Sequence, residues 1–135
     1  MSEESKKDYQ IEEVEQHTDD REYMLQAIEN DATWVLAYAS EKLKADKDLM
    51  MKCASKDGQI LYYASEQLRD DKEFVLKAVS NKWLIIKYAS YRLRSDKDVA
   101  LCVIKSSPKA KEYLTKEALE IPEVEEFLKE NEENK

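Results

Sequence analysis

Residues 71–95 read DKEFVLKAVSNKWLIIKYASYRLRS, and the chain repeats this pattern about every 25 residues. The triplet Tyr-Ala-Ser within it occurs three times, at residues 38–40, 63–65 and 88–90. A fixed period of this size is the signature of a repeat protein, in which each unit packs on the next. Four units align, at residues 20–45, 46–70, 71–95 and 96–120, and the fourth is degenerate.

The composition predicts an all-α fold. The chain has 135 residues, which suits one domain, and it contains one glycine and two prolines. Tight turns need those two residue types, so a loop-rich or all-β fold is disfavoured. We therefore predict a helical-repeat, solenoid-like array of about four 25-residue helix-turn-helix units.

Each unit opens with an aspartate, followed by a base and then an acid. Aspartate is a strong N-cap, because its carboxylate accepts hydrogen bonds from unpaired amides of the first helical turn. Apolar residues follow on one broad helical face, as at Phe74, Val75, Leu76, Ala78 and Val79. Turn-forming residues predict where this first helix ends, because glycine and asparagine tolerate the left-handed conformation and proline cannot continue a helix. These are Asn30, Asp57-Gly58, Asn81 and Ser107-Pro108.

A second, shorter helix is predicted from about Trp34 to Ala39 and at the equivalent positions of the other units. The serine after it is ambiguous. Ser40, Ser65 and Ser90 either lie inside one continuous helix or cap a new helical turn, and the preference of serine for caps favours a break.

The two ends of the chain are predicted to cap the array. Residues 1–19 are acidic and partly disordered in this interpretation, with Tyr9, Ile11 and Val14 forming a partial helix against the first unit. From Ile121 onward a terminal helix presents one narrow apolar stripe, and Pro122 suits its first position. Residues 1–7 and 130–135 are expected to be disordered.

The segments at 71–79 and 63–72 resemble a known repeat family, catalogued as domain of unknown function 4116. They read Asp-Lys-Glu-Phe-Val-Leu-Lys-Ala-Val and Tyr-Ala-Ser-Glu-Gln-Leu-Arg-Asp-Asp-Lys. The likeness covers about residues 20–105 and weakens after Ser106. Gly58 as the sole turn glycine and Ser107-Pro108 depart from the family pattern. The resemblance implies helical repeats and carries no activity with it.

The residue types that catalysis or metal binding requires are sparse. His17 is the one histidine and lies outside the repeats, and a zinc site needs about four clustered ligands. Gly58 alone cannot form a phosphate-binding loop. Cys53 occupies a small apolar column, which favours a buried thiol, and nothing points to a disulfide with Cys102. We expect no enzyme activity, cofactor or metal.

Location follows from similar observations. No apolar signal segment opens the chain, and no apolar run approaches the length of a membrane span. The sequence favours a cytoplasmic, monomeric protein. A deep polar pocket with a perturbed carboxylate would instead point to an enzyme.

Charge and aromatic residues supply the candidates for binding. Residues 1–20 and 117–135 each carry a net charge of −6, and residues 21–116 carry +4. The acidic ends either keep the chain soluble or fold over a basic face. A ladder of basic residues recurs near the unit junctions. Either each base pairs with a nearby acid or is solvated, or the bases align into a stripe that binds an anionic partner. The members of the ladder are Lys42, Lys44, Lys47, Arg69, Lys72, Arg92, Arg94 and Lys97.

Tyr62 and Tyr91 stand in variable columns and are predicted to contact a partner. Trp34 and Trp83 are predicted to be core residues, and the recurring Tyr38, Tyr63, Tyr88 and Tyr113 to be structural. The leading hypothesis is a non-catalytic scaffold that binds a protein, with nucleic acid or another polyanion as the alternative. The candidate partner-binding residues are Tyr62, Tyr91, Lys44, Arg69 and Arg94.

Overall fold

The computed structural model describes residues 7–133, and within them the chain forms helices and no strand. The prediction of an all-α fold is therefore confirmed. Long helices alternate with 3-10 helices and with single-turn α-helices. In chain order they are α1 (Ile11–Val14), α2 (Arg21–Glu29), η1 (Thr33–Tyr38), α3 (Glu41–Lys44), α4 (Lys47–Lys56), η2 (Gly58–Tyr62), α5 (Glu66–Arg69), α6 (Lys72–Asn81), η3 (Trp83–Tyr88), α7 (Tyr91–Arg94), α8 (Lys97–Ser106), η4 (Pro108–Tyr113), α9 (Lys116–Leu119) and α10 (Pro122–Glu133).

The long helix of each unit begins at the predicted aspartate. In α4 the carboxylate of Asp46 accepts a hydrogen bond from the backbone N–H of Leu49 at 3.0 Å. The same contact forms at Asp20, Asp71 and Asp96. Each such cap contributes about 1 kcal/mol to helix stability. The apolar face then packs inward, and in α6 it buries Phe74, Val75, Ala78 and Val79.

The second segment of each unit is a 3-10 helix, and the serine of Tyr-Ala-Ser ends it. Ser65 has extended backbone angles, and its Oγ accepts a hydrogen bond from the N–H of Leu68 at 3.3 Å. Ser40 and Ser90 cap α3 and α7 in the same way. The predicted break at these serines is confirmed, and each unit has three elements, namely a long α-helix, a 3-10 helix and a single-turn α-helix.

The same residue also links consecutive units through the main chain. The backbone N–H of Ser65 donates to the carbonyl oxygen of Lys44 at 3.1 Å, and that of Ser90 donates to Arg69 at 3.0 Å. Ser40 and Thr115 repeat the contact at the other junctions. The alanine before each serine is buried. Tyr-Ala-Ser is therefore a packing element.

Gly58 has a different role from the predicted one. No glycine in the described chain has a positive φ, so the left-handed turn expected at Gly58 is absent. Asp31 adopts that conformation instead, with φ of 65°. A Cβ at Gly58 would collide with the carbonyl oxygen of Ala78 and lie 3.1 Å from Cβ of Lys82. Glycine is needed here because α6 of the next unit packs directly on the backbone.

The core runs through all four units, and one of its predicted aromatic members is exposed instead. Cys53 is buried, as predicted, and burial raises the pKa of its thiol to about 12. Trp34 is 43% exposed, so its prediction as a core residue was wrong. Trp83 is half-buried and lies 6.5 Å from the ring of Tyr113.

The ends cap the stack. At the N-terminal end Tyr9 and Val14 are buried while Ile11 is exposed. At the C-terminal end α10 buries its own Val124, and this helix continues through residues 130–133, which were predicted to be disordered. Lys7 pairs with Glu13 at 2.6 Å. Residues 1–6 and 134–135 lie outside the described part, together with the disorder predicted for them.

Candidate partner-binding face

Many bases of the ladder form ion pairs or hydrogen bonds with residues of a neighbouring unit. The base after each cap reaches forward to the acids of the next unit. Lys47 Nζ lies 3.0 Å from Asp71 and 2.8 Å from Glu73, and Lys72 repeats this with Asp96 and Asp98. Arg21 pairs with Asp46, and Lys97 pairs with Glu123. This favours local pairing over a stripe open to an anionic partner.

These pairs also shift the titration of their members. The hydrogen bond that Lys72 donates to Asp98 raises the pKa of Lys72 and lowers the pKa of Asp98. The hydrogen bond donated by Arg21 lowers the pKa of Asp46, against an opposing contribution from partial burial. The pairs are solvent-exposed, and because water and salt screen exposed charges, each pair contributes little to the free energy of unfolding. These ion pairs hold adjacent units in register, and the paired base and acid cancel each other's charge.

The remaining ladder residues differ from one another. Arg92 pairs with Asp70 at 2.9 Å. Arg69 Nε donates to the carbonyl oxygen of Ala64 at 3.1 Å. Lys42 and Lys44 have no carboxylate within 4.0 Å among residues 7–133. The ladder is thus not one continuous surface.

The structure brings three of the five predicted partner-binding residues together. Lys44, Tyr62 and Arg69 line one open groove of about 390 Å³ between the second and third short helices, α3 and α5. Glu41 and Glu66 line it as well, so its charges cancel.

Tyr91 and Arg94 lie one unit further along. The ring of Tyr91 is 58% exposed, and its hydroxyl donates to Glu117 at 2.7 Å. Arg94 lies 5.9 Å from the centroid of that ring. Its buried Nε has no hydrogen-bond partner in the described chain. This pair is a site separate from the groove.

An exposed apolar surface lies on the 3-10 helices. A 3-10 helix has three residues per turn, so residues i and i+3 share a face. The outward pairs are Trp34 with Ala37, Gln59 with Tyr62, Leu84 with Lys87, and Lys109 with Glu112. Trp34, Tyr62 and Leu84 are 43%, 45% and 37% exposed. We call these three residues the apolar strip.

Sequence reasoning found Tyr62 and missed the other two members. Trp34 and Leu84 sit in apolar runs, WVL and WLII, which read as core at helical or strand spacing. A period of three was the signal that would have separated inward from outward positions. A short apolar run does not reveal the 3-10 geometry on which that period depends.

Neighbouring tyrosines support the apolar strip. The ring of Tyr62 packs edge-on against Tyr63 at 4.9 Å and against Tyr88 of the next unit at 4.7 Å. Trp34 packs against Tyr38 at 6.0 Å in the same manner. The half-buried recurring tyrosines are structural in this sense. They hold the exposed aromatic rings in fixed positions and reduce the conformational entropy that binding would otherwise cost.

A second concavity lies at the end of the stack, between η4 and α10. Its volume is about 240 Å³, and its walls include Pro108 and Leu128. These residues stand where the earlier junction has Gly58 and Ala78 in close contact. The larger side chains account for the gap, because they prevent the same close approach.

The described chain offers little chemistry to a catalytic site. Residues 7–133 contain no group of three or more His, Cys, Asp and Glu side chains arranged to hold a metal. His17 stacks on Tyr23 at 4.1 Å, and its Nδ1 lies 3.1 Å from Asp20. Across those same residues no helix has both the length and the apolar character that crossing a bilayer requires.

Comparison with known proteins relates the whole repeat region to a family. The family described as Domain of unknown function (DUF4116) matches residues 20–69 and 71–117. The match extends beyond residue 105, where the resemblance in the sequence weakened, and so includes much of the degenerate fourth unit. No curated protein and no solved structure matches the chain.

Proposed function

The chain belongs to the family described as domain of unknown function (DUF4116), and on that premise we propose that it is a non-catalytic helical-repeat scaffold that binds another protein. The family description assigns no activity, so the proposal rests on the surface of this chain. The binding site is the apolar strip together with the adjoining groove at Lys44 and Arg69.

The observation that carries the proposal is the recurrence of exposed apolar side chains on the outward faces of successive units. Residues 7–133 hold five large, strongly exposed apolar or aromatic side chains. Three of them, Trp34, Tyr62 and Leu84, occupy the outward faces of consecutive 3-10 helices. Contiguous exposed apolar surface is a mark of interaction sites, and tryptophan and tyrosine dominate binding energy at protein interfaces.

Nucleic acid or another polyanion is the alternative, and the ladder supports it less well. Binding to phosphates needs uncompensated lysines and arginines. Lys47, Lys72 and Lys97 are each paired with carboxylates of the following unit. We further propose a cytoplasmic location and a monomeric state, supported by two free cysteines and by the acidic ends.

Site-specific photo-crosslinking tests the proposal. A photoreactive phenylalanine analogue replaces Tyr62 in one variant and Lys52, on the outer face of α4, in the control. In cells that make the full chain, we expect protein adducts from position 62 and few from position 52. Equal yields from both positions, or adducts from position 52 alone, would contradict the proposed site.

A further inference from the structure

The face that carries the apolar strip changes its charge along the stack. Residues 32–38 hold no charged side chain, and residues 57–63 hold only Asp57. The equivalent segments of the last two units, 82–88 and 107–113, hold four lysines and one glutamate. The first half of this face is therefore apolar and the second half has a net charge of +3.

Within residues 7–133, the lysines on this face form no ion pair with a carboxylate. Lys82, Lys87, Lys109 and Lys111 have no carboxylate within 4.0 Å in the part of the chain that is described. Lys82 Nζ reaches only the amide oxygen of Gln59, at 3.3 Å, and Lys87 lies over the ring of Tyr88. Asp57, by contrast, is occupied by hydrogen bonds from Thr33 and Gln59. By contrast, the ladder lysines Lys47, Lys72 and Lys97 each pair with a carboxylate of the segment that follows.

From this asymmetry we infer the chemistry of the partner: an acidic, amphipathic polypeptide segment that lies across the outward faces of the 3-10 helices. Its apolar side chains pack on Trp34, Tyr62 and Leu84. Its carboxylates contact Lys87 and Lys109, which share the outward faces of η3 and η4. The inference deepens the proposed function and rests on it.

Spacing sets the form of that segment. Packed helices lie about 8–10 Å apart, and an extended chain advances about 3.3 Å per residue. The bound segment would therefore advance by about three residues from one unit of the stack to the next. An extended segment of roughly ten residues would cover all four units, with apolar anchors first and acids after them.

The charge of the whole chain predicts how the interaction responds to salt. Both acidic ends repel an acidic partner at long range, while the body between them carries +4. Salt screens interactions between exposed charges beyond about 10 Å at 0.1 M. Binding should weaken as salt rises if contacts to Lys87 and Lys109 dominate, and should change little if only the apolar strip binds.

Trp34 provides the means of measurement. The chain has two tryptophans, so Trp83→Phe in the full chain leaves Trp34, within the strip, as the fluorescent reporter. One probe is a synthetic peptide of about ten residues, with leucine at every third position of its first half and glutamate throughout its second half. A matched peptide carries lysine in place of glutamate, and oligouridylate of similar length is the third probe. We expect the acidic peptide to bind at least about tenfold more tightly than the basic one.

Charge reversal completes the test. Lys87→Glu/Lys109→Glu should abolish or reverse the preference, whereas Lys52→Glu/Lys77→Glu makes the same change of charge on the long helices and should leave it intact. Equal binding of the two peptides, a preference for the basic peptide, or binding of neither overturns the inference. Binding of oligouridylate that depends on Lys87 and Lys109 also overturns it, in favour of a phosphate ligand. The crosslinking at position 62 judges the proposed function independently of these results.

Discussion

At the scale of single residues, the serine of Tyr-Ala-Ser performs two tasks at every junction and a third at two of them. It caps a short helix and donates its backbone N–H to the preceding segment. At two junctions its hydroxyl also donates to a neighbouring acid. Ser40 Oγ donates to Asp19 and Ser90 Oγ donates to Asp70, each at 2.6 Å. The equivalent position facing Ser65 is Ala45, which has no side-chain acceptor.

Ala45→Asp should therefore stabilise the protein. The new carboxylate can accept from Ser65 as Asp70 does from Ser90, and such a hydrogen bond contributes about 0.5–1.5 kcal/mol. The measurement is the free energy of unfolding in urea. In a Ser65→Ala background the gain should disappear, and an equal gain there would show that the hydroxyl is not its cause.

Gly58→Ala should destabilise the protein by about 1–3 kcal/mol, because the new Cβ forces the backbone away from Ala78 and Lys82. Backbone strain is not involved, since φ at Gly58 is not positive. Where glycine serves only as a flexible turn residue, alanine stabilises by about 0.4–1 kcal/mol. The sign of the change in urea unfolding thus separates close packing from flexibility.

At the scale of elements, the sequence predicts a helix boundary well where a single residue type, such as the capping aspartate, determines it. The aspartate caps and the apolar spacing of α4, α6 and α8 located the long helices within a residue or two. The second segment was harder, because a short apolar run such as WLII does not distinguish a 3-10 helix from an α-helix or a strand. The apolar strip depends on that distinction. Two of its three members were consequently assigned to the core or left out.

The capping and pairing aspartates should make stability depend on acid. Hydrogen bonding from Arg21 lowers the pKa of Asp46 in the folded chain, so its contribution is present above the unfolded pKa, about 4, and is lost as pH falls through the folded pKa. Asp70 and Asp98 are shifted in the same direction by their bonded partners.

Urea midpoints measured between pH 7 and pH 3 should stay level down to about pH 4–5 and then fall. Asp46→Asn should lower the midpoint at pH 7 and make the remaining fall shallower. Glu29→Gln is the matched control, since Glu29 forms no ion pair within residues 7–133, and it should leave the curve unchanged. A steeper fall in Asp46→Asn than in the parent would contradict this assignment.

At the scale of the whole molecule, the forward-reaching bases give the stack a direction and an end. Pairing begins at Arg21 and finishes at Lys97 with Glu123. The next base position is Pro122, so the terminal helix has no base in the column that pairs with a following unit. Both ends also carry a net charge of −6, which disfavours end-to-end association.

The protein should therefore be a monomer at moderate salt. Sedimentation equilibrium should return the mass of one chain, 15.8 kDa, across a wide concentration range. Replacing the acids of α10 with glutamines is the informative comparison, because it removes the repulsion while keeping the helix. A stable dimer of the unmodified chain would show that the ends do not isolate the stack.

The central claim is that the apolar strip binds a protein, and affinity tests it most directly. The partner captured from position 62 is purified and titrated against the parent chain, Trp34→Ala, Leu84→Ala and the control Lys52→Ala. Truncating a central aromatic or aliphatic anchor should cost more than about 1 kcal/mol, or roughly fivefold to tenfold in Kd. Lys52→Ala should bind like the parent. Unchanged affinity in both strip variants would contradict the claim.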